Sequence, residues 1–314
     1  MYIKRYLHDQ ILTHLKNKDG LDRVLLLYGP RRVGKTTLIN QLIKDCSLKS
    51  KFFACDDPET RDLLSGISLA KLKKLVDGYD LLVFDEAQRI AEVGTMLKLL
   101  VDYVKGKRII VSGSSSLDLS NRISESLTGR KITFLMYPIS LAELLAEVGV
   151  DNLLVETDRG MRFGFYPYLY KLKEDKDIED YLLELSQDYL YKDVLEYQHI
   201  KNPEQIRRLL VALALQIGQE VSFTELANTV GVDQKTIMRF VDLLEKSFVV
   251  FRLQAFSRNL RTEMNKSRKI YFYDLGVRNA LLKNFNNFEL RNDKGQVWEN
   301  LLIVERMKRD AMKR

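Results

Sequence analysis

The chain has 314 residues, enough for about two domains of roughly 150 residues and a sizeable core. Hydrophobic residues make up 46% and charged residues 30%, which excludes disorder as the default. The formal net charge of +7 favours a polyanionic partner, nucleic acid or nucleotide phosphate, without choosing between them.

Residues 2–17 carry Ile3, Leu7, Ile11 and Leu15 at helical spacing. Charges interrupt the apolar residues of Met1–Tyr6, so the start does not read as a signal peptide. The apolar run from Val24, ending at Gly29, predicts a buried parallel strand, and a helix over 35–45 follows. Lys51–Cys55 predicts a second strand, with helical patterns at 59–65 and 68–77. Asp80–Asp85 is a third, apolar until its terminal acid. A helix over 93–105 leads to strands at Arg108–Ser112 and Ile132–Met136. Strands alternating with helices predict an α/β domain with a parallel sheet and right-handed crossovers. The polar residues gather at strand C-terminal ends, where open α/β sheets bind ligands.

Beyond residue 150 the pattern changes. Residues 177–217 read as helical and rich in Leu and Tyr. Ser222-Phe-Thr-Glu225 predicts a capping box, with Gly231 ending a short helix. Asp233 caps a second helix whose core face is Ile237, Val241 and Leu244, and Phe248–Leu253 is β-like. That order is a winged helix-turn-helix pattern. Cys46 and Cys55 show neither metal-ligand nor disulfide-framework spacing, so buried reduced thiols are expected. The longest apolar stretch, Leu209–Ile217, is too short for a bilayer. A cytoplasmic protein with no membrane partner is the expectation.

Gly29-Pro30-Arg31-Arg32-Val33-Gly34-Lys35-Thr36 fits the P-loop pattern, with a strand before it and a helix after it. The glycines let backbone N–H groups turn inward around phosphates, and the helix N-terminus adds partial positive charge. Lys35 is assigned to the β- and γ-phosphates of ATP, and the Thr36 hydroxyl to Mg²⁺. Thr37 completes the cofactor-binding set. Arg31 and Arg32 read either as phosphate contacts or as solvated loop charges. Asp85 ends an apolar strand, where a carboxylate reaches Mg²⁺. Glu86 is the candidate to accept a proton from the attacking water, the alternative being a solvated charge. In Ser112-Gly-Ser-Ser-Ser116, Ser114 is the candidate to hold the γ-phosphate or the lytic water, against a plain polar turn. Arg130 reads as an arginine finger on a neighbouring subunit's ATP, which implies a homo-oligomer, or as an ordinary ion-paired arginine.

Together, Gly29–Thr36, Val83-Phe-Asp-Glu-Ala-Gln88, Ser112-Gly-Ser, Leu127-Thr-Gly-Arg130 and Tyr137-Pro-Ile-Ser140 resemble the prokaryotic AAA-type ATPases that carry a C-terminal domain of unknown function. Gly164-Phe-Tyr-Pro167, Tyr191-Lys-Asp193-Val194, Lys269–Gly276 and Gly295–Asn300 resemble that family's later segments. The resemblance implies an ASCE/AAA-like P-loop NTPase core over 1–148 and a helical linker over 149–204. A winged helix domain over 205–262 and a truncated restriction-endonuclease-like α+β segment over 263–314 follow. Glu299 matches the first acid of such nucleases. Its expected partner acids would fall beyond Arg314, so no nuclease activity is expected of these residues. On a helix over 295–309 with an apolar stripe of Val297, Leu301 and Val304, Glu299 should face solvent or a partner.

The helix from Asp233 reads as a DNA recognition helix presenting Gln234, Lys235 and Arg239. The segment after it, with Arg252, Arg258, Arg261, Lys266, Arg268 and Lys269 against Glu263, reads as a basic wing on phosphates. The alternative is a nucleotide-dependent protein-interaction switch with no DNA role.

Overall fold

The structure, a computed structural model, describes residues 3–17, 20–113, 127–188, 202–254 and 268–312. It divides into two compact units, Lys4–Met136 and Met1–Ile3 with Tyr137–Arg314.

The Lys4–Met136 unit runs α1 (Tyr6–Lys16), β1 (Val24–Tyr28), α2 (Lys35–Cys46), β2 (Ser50–Ala54), α3 (Pro58–Leu64) and α4 (Leu69–Val76). It continues through β3 (Leu81–Asp85), α5 (Val93–Tyr103), β4 (Arg108–Gly113) and β5 (Lys131–Leu135). The strands are parallel in the order β2-β3-β4-β1-β5, an α/β sheet as expected. The central strands carry apolar runs because helices cover both faces: Val24–Leu27, Leu81–Phe84 and Ile109–Val111 are all buried. The edge strands expose Phe52 and Thr133. After β1 the chain crosses to the far edge and returns through β3 and β4, so β4 lies between β1 and β3. Register pairs Tyr28 with Gly113 and Phe84 with Val111. The C-terminal ends of the three central strands therefore meet at one edge.

By its internal contacts the first unit runs to Met136. The helix at 141–148 belongs to the second unit, where Ser140 and Glu143 form its capping box. The second unit runs α6 (Leu141–Val148), α7 (Val150–Phe163), α8 (Asp175–Asp188), α9 (Pro203–Leu215), β6 (Glu220–Val221) and α10 (Phe223–Val230). It continues through α11 (Gln234–Lys246), β7 (Val250–Gln254), β8 (Arg268–Phe272), α12 (Leu275–Leu282) and α13 (Lys294–Met312). β6, β8 and β7 form an antiparallel sheet in that order. β8 is the central strand, paired with both others. Ser222 and Asp233 cap α10 and α11, accepting from Glu225 N at 3.3 Å and Thr236 N at 2.9 Å. The Glu225 carboxylate accepts from Gln216 Nε2 at 3.5 Å instead of reaching back to close the expected box.

The later signature segments are stitched to one another. Asp274 caps α12, accepting from Gly276 N at 2.9 Å and Val277 N at 3.2 Å, and also holds Phe165 N at 2.7 Å. Burial pushes this carboxyl above its ordinary value, against the opposing pull of those N–H donors and Lys308. Gly164 has φ 77°, and a Cβ there would overlap the Asp274 carboxylate, so glycine is required. Lys308 Nζ donates to Ile139 O at 2.9 Å and Glu305 at 2.7 Å, while Glu305 accepts from Leu141 N at 2.7 Å. Beside them, Asp293 accepts from Arg278 Nη1 at 2.5 Å and from Arg291 at 2.8 and 2.9 Å. Both guanidiniums are buried.

On α13 the expected stripe of Val297, Leu301 and Val304 is buried, widened by Asn300 and Lys308. Asn300 bonds both backbone groups of Phe272, seating the helix on β8. Glu299 consequently does not simply face solvent. It accepts from Lys269 Nζ at 2.9 Å and Tyr271 OH at 2.6 Å, since alternate side chains of β8 point toward the helix.

Candidate nucleotide site

Residues 29–34 close the gap between β1 and α2 with three left-handed or otherwise positive-φ positions: Gly29 at 150°, Arg32 at 60° and Gly34 at 96°. A Cβ on Gly29 would overlap the Met136 carbonyl oxygen, so the loop passes too close to β5's end for any side chain. The turn delivers Lys35 to the first position of α2, where it is buried. Lys35 Nζ donates to the carbonyls of Gly29 at 2.9 Å and Pro30 at 2.8 Å, folding back over its own loop. Val33 and Pro30 are buried, Arg31 is half-buried, and Arg32, Thr36 and Thr37 are exposed at the helix N-terminus.

The strand order brings the acids to this loop. Thr36 Oγ1 donates to Asp85 Oδ2 at 2.7 Å, although the two are 49 residues apart. Ser112, at the end of β4 and fully buried, donates its hydroxyl to the other Asp85 oxygen and accepts Glu86 N at 3.3 Å. Sequence reasoning passed over Ser112 for Ser114, which lies outside the described residues. The signal was present: Ser112 ends a strand beside the strand ended by Asp85. Glu86 has φ 53°, a left-handed conformation that turns the chain away from β3 and leaves its carboxylate half-buried. That carboxylate accepts from Gln88 Nε2 at 2.5 Å. Cys55, hydrogen-bonded through its N–H to Asp85 O, lies behind the acids. Burial, reinforced by Asp85, Asp56 and Glu86, pushes its thiol up to about 12.

Hydroxyl and carboxylate oxygens in contact are the donor set a hard cation such as Mg²⁺ takes, and the loop N–H groups suit phosphate. Thr36 and Asp85 thus fit a metal, and Gly29–Lys35 fit a polyphosphate.

Arg130 is elsewhere. It immediately precedes β5, whose Lys131 pairs with Val24 at the start of β1, and it ion-pairs with Asp102. Level with Arg23, it lies six strand residues, at ~3.3 Å each roughly 20 Å, below Gly29. It does not reach the Gly29–Lys35 loop of its own chain. On the second unit, Gln234, Lys235 and Arg239 are exposed together on α11, as expected. Arg258, Arg261 and Lys266 lie outside the described residues, as does Tyr191–Val194. Arg252 does not belong to a free basic wing: Glu245 and Asp242 of α11 neutralise it. Lys269 is held by Glu299, and Arg268 is half-buried on β8. Among the described residues, no helix is long and apolar enough to cross a membrane.

Residues 21–145 match the model of an AAA domain, and residues 156–287 that of a domain of unknown function (DUF8612). An uncharacterized protein of Mycobacterium tuberculosis is 31% identical over 288 residues, covering 90% of this chain and 62% of that protein. An uncharacterized protein of Methanocaldococcus jannaschii is 26% identical over 310 residues, covering 92% of this chain and 67% of that one. The chain therefore spans about two-thirds or less of the length of these relatives. Among solved structures, the Walker-type ATPase of Pyrococcus abyssi superposes with a TM-score of 0.57 at 15% identity, over 90% of this chain and 96% of that one. By these matches the chain carries an AAA domain of Walker-type P-loop ATPase fold, followed by a domain of unknown function.

Proposed function

We propose that the chain is a Mg²⁺-dependent ATPase whose hydrolysis switches the second unit. The observation that carries this is the Thr36–Asp85 contact at the N-terminus of α2, beside a buried lysine parked on loop carbonyls. Lys35 exchanges those carbonyls for the β- and γ-phosphates of ATP, while the N–H groups of residues 31–36 hold the remaining oxygens. Thr36 and Asp85 would hold Mg²⁺, which would supply neutralising charge to the polyphosphate. Glu86 takes the proton of the attacking water once it leaves Gln88. A cytoplasmic setting suits the two buried free cysteines. The test is phosphate release from Mg-ATP by purified protein and its Lys35→Ala variant. Turnover by the variant at the wild-type rate would remove the assignment.

The second unit's helix, strand, two helices and hairpin, with sheet order β6-β8-β7, support a winged helix reading. DNA would bind the exposed face of α11 through Gln234, Lys235 and Arg239, with Arg258, Arg261 and Arg268 as further phosphate contacts. Duplex binding should then weaken steeply with salt, and Lys235→Ala with Arg239→Ala should flatten that dependence. No duplex binding at low salt would favour a protein partner on the same face.

A further inference from the structure

We propose that Arg5 is a positioning residue for the phosphate loop, acting from outside the nest through the Val33 carbonyl. The inference rests on the ATPase reading and adds a residue outside the P-loop pattern to it.

Arg5 stands at the N-cap of α1 and is 7% exposed, unusual for an arginine. Its Nη1 donates to Val33 O at 2.8 Å, in a buried contact spanning 28 residues of sequence. The carbonyl of Val33 and the N–H of Gly34 belong to one rigid peptide plane and point in opposite directions. Whatever holds the oxygen outward holds the Gly34 N–H inward, toward the place where phosphate sits. Gly34 has φ 96° and leaves that plane free to flip, since glycine has no side chain to resist rotation. An anchored carbonyl supplies the missing restraint.

The anchor is itself held. Ile11 and Leu15 are buried on the core side of α1. One turn on from Arg5, His8 is 5% exposed, and its Nε2 lies 2.8 Å from Asp45 Oδ2, near the C-terminal end of α2. Its Nδ1 lies 2.9 Å from Asp9 Oδ1. Helix α1 therefore grips α2 near one end through His8 and the loop before α2 through Arg5. This is the arrangement of a brace rather than of a substrate contact, because Arg5 is directed at a carbonyl that faces away from the nest.

The test uses Arg5→Met, which keeps the stem and removes the donor, and Arg5→Lys, which keeps a donor of similar reach. Affinity for a fluorescent N-methylanthraniloyl-ATP is measured with Mg²⁺, alongside thermal melts without nucleotide. Arg5→Met should raise Kd about tenfold, as expected for loss of a charge-assisted hydrogen bond that preorganises the site. Arg5→Lys should recover most of that loss, and kcat at saturating ATP should stay within about twofold of wild type, since no transition-state contact is removed. Wild-type affinity in a folded Arg5→Met protein would overturn the proposal, and so would Arg5→Lys binding no better than Arg5→Met. Failure of the wild type itself to bind the nucleotide would strike the ATPase reading instead.

Discussion

Replacing Ser112 by alanine removes one hydroxyl from between the two acids of the candidate site. That hydroxyl donates to Asp85 and accepts the backbone N–H of Glu86, and it is fully buried. Without it, Asp85 keeps Thr36 as a side-chain donor but loses the contact that fixes its second oxygen, and the Glu86 peptide loses its acceptor. A hydrogen bond to a charged group contributes about 1.5–3 kcal/mol. If that contribution orients the metal ligand and the base, its loss corresponds to about a ten- to hundredfold fall in turnover. The backbone should survive, because β4 keeps its ladder to β1 and β3 and the change leaves only a hydroxyl-sized gap. The assay is steady-state ATP hydrolysis titrated with Mg²⁺, with thermal melts run in parallel. The expected result is a lower kcat and a higher Mg²⁺ requirement in a protein that still melts cooperatively, several degrees below wild type, and rescue by Ser112→Thr. Unchanged kcat and Mg²⁺ dependence in Ser112→Ala would refute the reasoning and reduce Ser112 to a packed strand residue.

Glu86→Gln keeps shape and removes basicity, so ATP binding should persist while hydrolysis falls about 10²–10⁴-fold, measured by nucleotide retention and single-turnover release. Arg130→Ala should leave the rate of dilute protein unchanged, because Arg130 lies at the far end of β1 from its own loop. At concentrations where subunits associate, a finger in trans predicts a loss that mixing with Lys35→Ala subunits partly restores. A rate independent of concentration, with no restoration, ends that role. Asp293→Asn strips the carboxylate from two buried guanidiniums and should cost about 3 kcal/mol or more in denaturant unfolding. Asp293 itself is drawn down to about 2 by Arg291 and Arg278 against the cost of burial. A depressed folded value means this stabilisation is full above the ordinary 3.8 and lost as pH falls toward 2. Acid titration of stability should show that loss in wild type and not in the variant.

The sequence by itself determined the phosphate loop, the acid pair and the parallel sheet. Each is a local statement: a turn that needs Gly29 and Gly34, a helix opening at Lys35, an apolar run ending in Asp85. Chain chemistry over a few residues is enough to specify them. It also marked the capped helices α10 and α11, since Ser222 and Asp233 act within one turn. What only the tertiary structure decided were choices made by distance through space. Ser112 reaches Asp85, because β4 is inserted between β1 and β3. Arg130 sits at the wrong end of the sheet for its own loop, because β5 runs parallel to β1 and begins beside it. Arg252 and Glu299 read as exposed charges, yet folding sets acids of α11 against the first and Lys269 against the second. Arg5 carries no motif at all. Its role depends on α1 lying along α2, a packing that hydrophobic periodicity permits but whose partner it does not name, because burial is non-directional and only the closed core selects which faces meet.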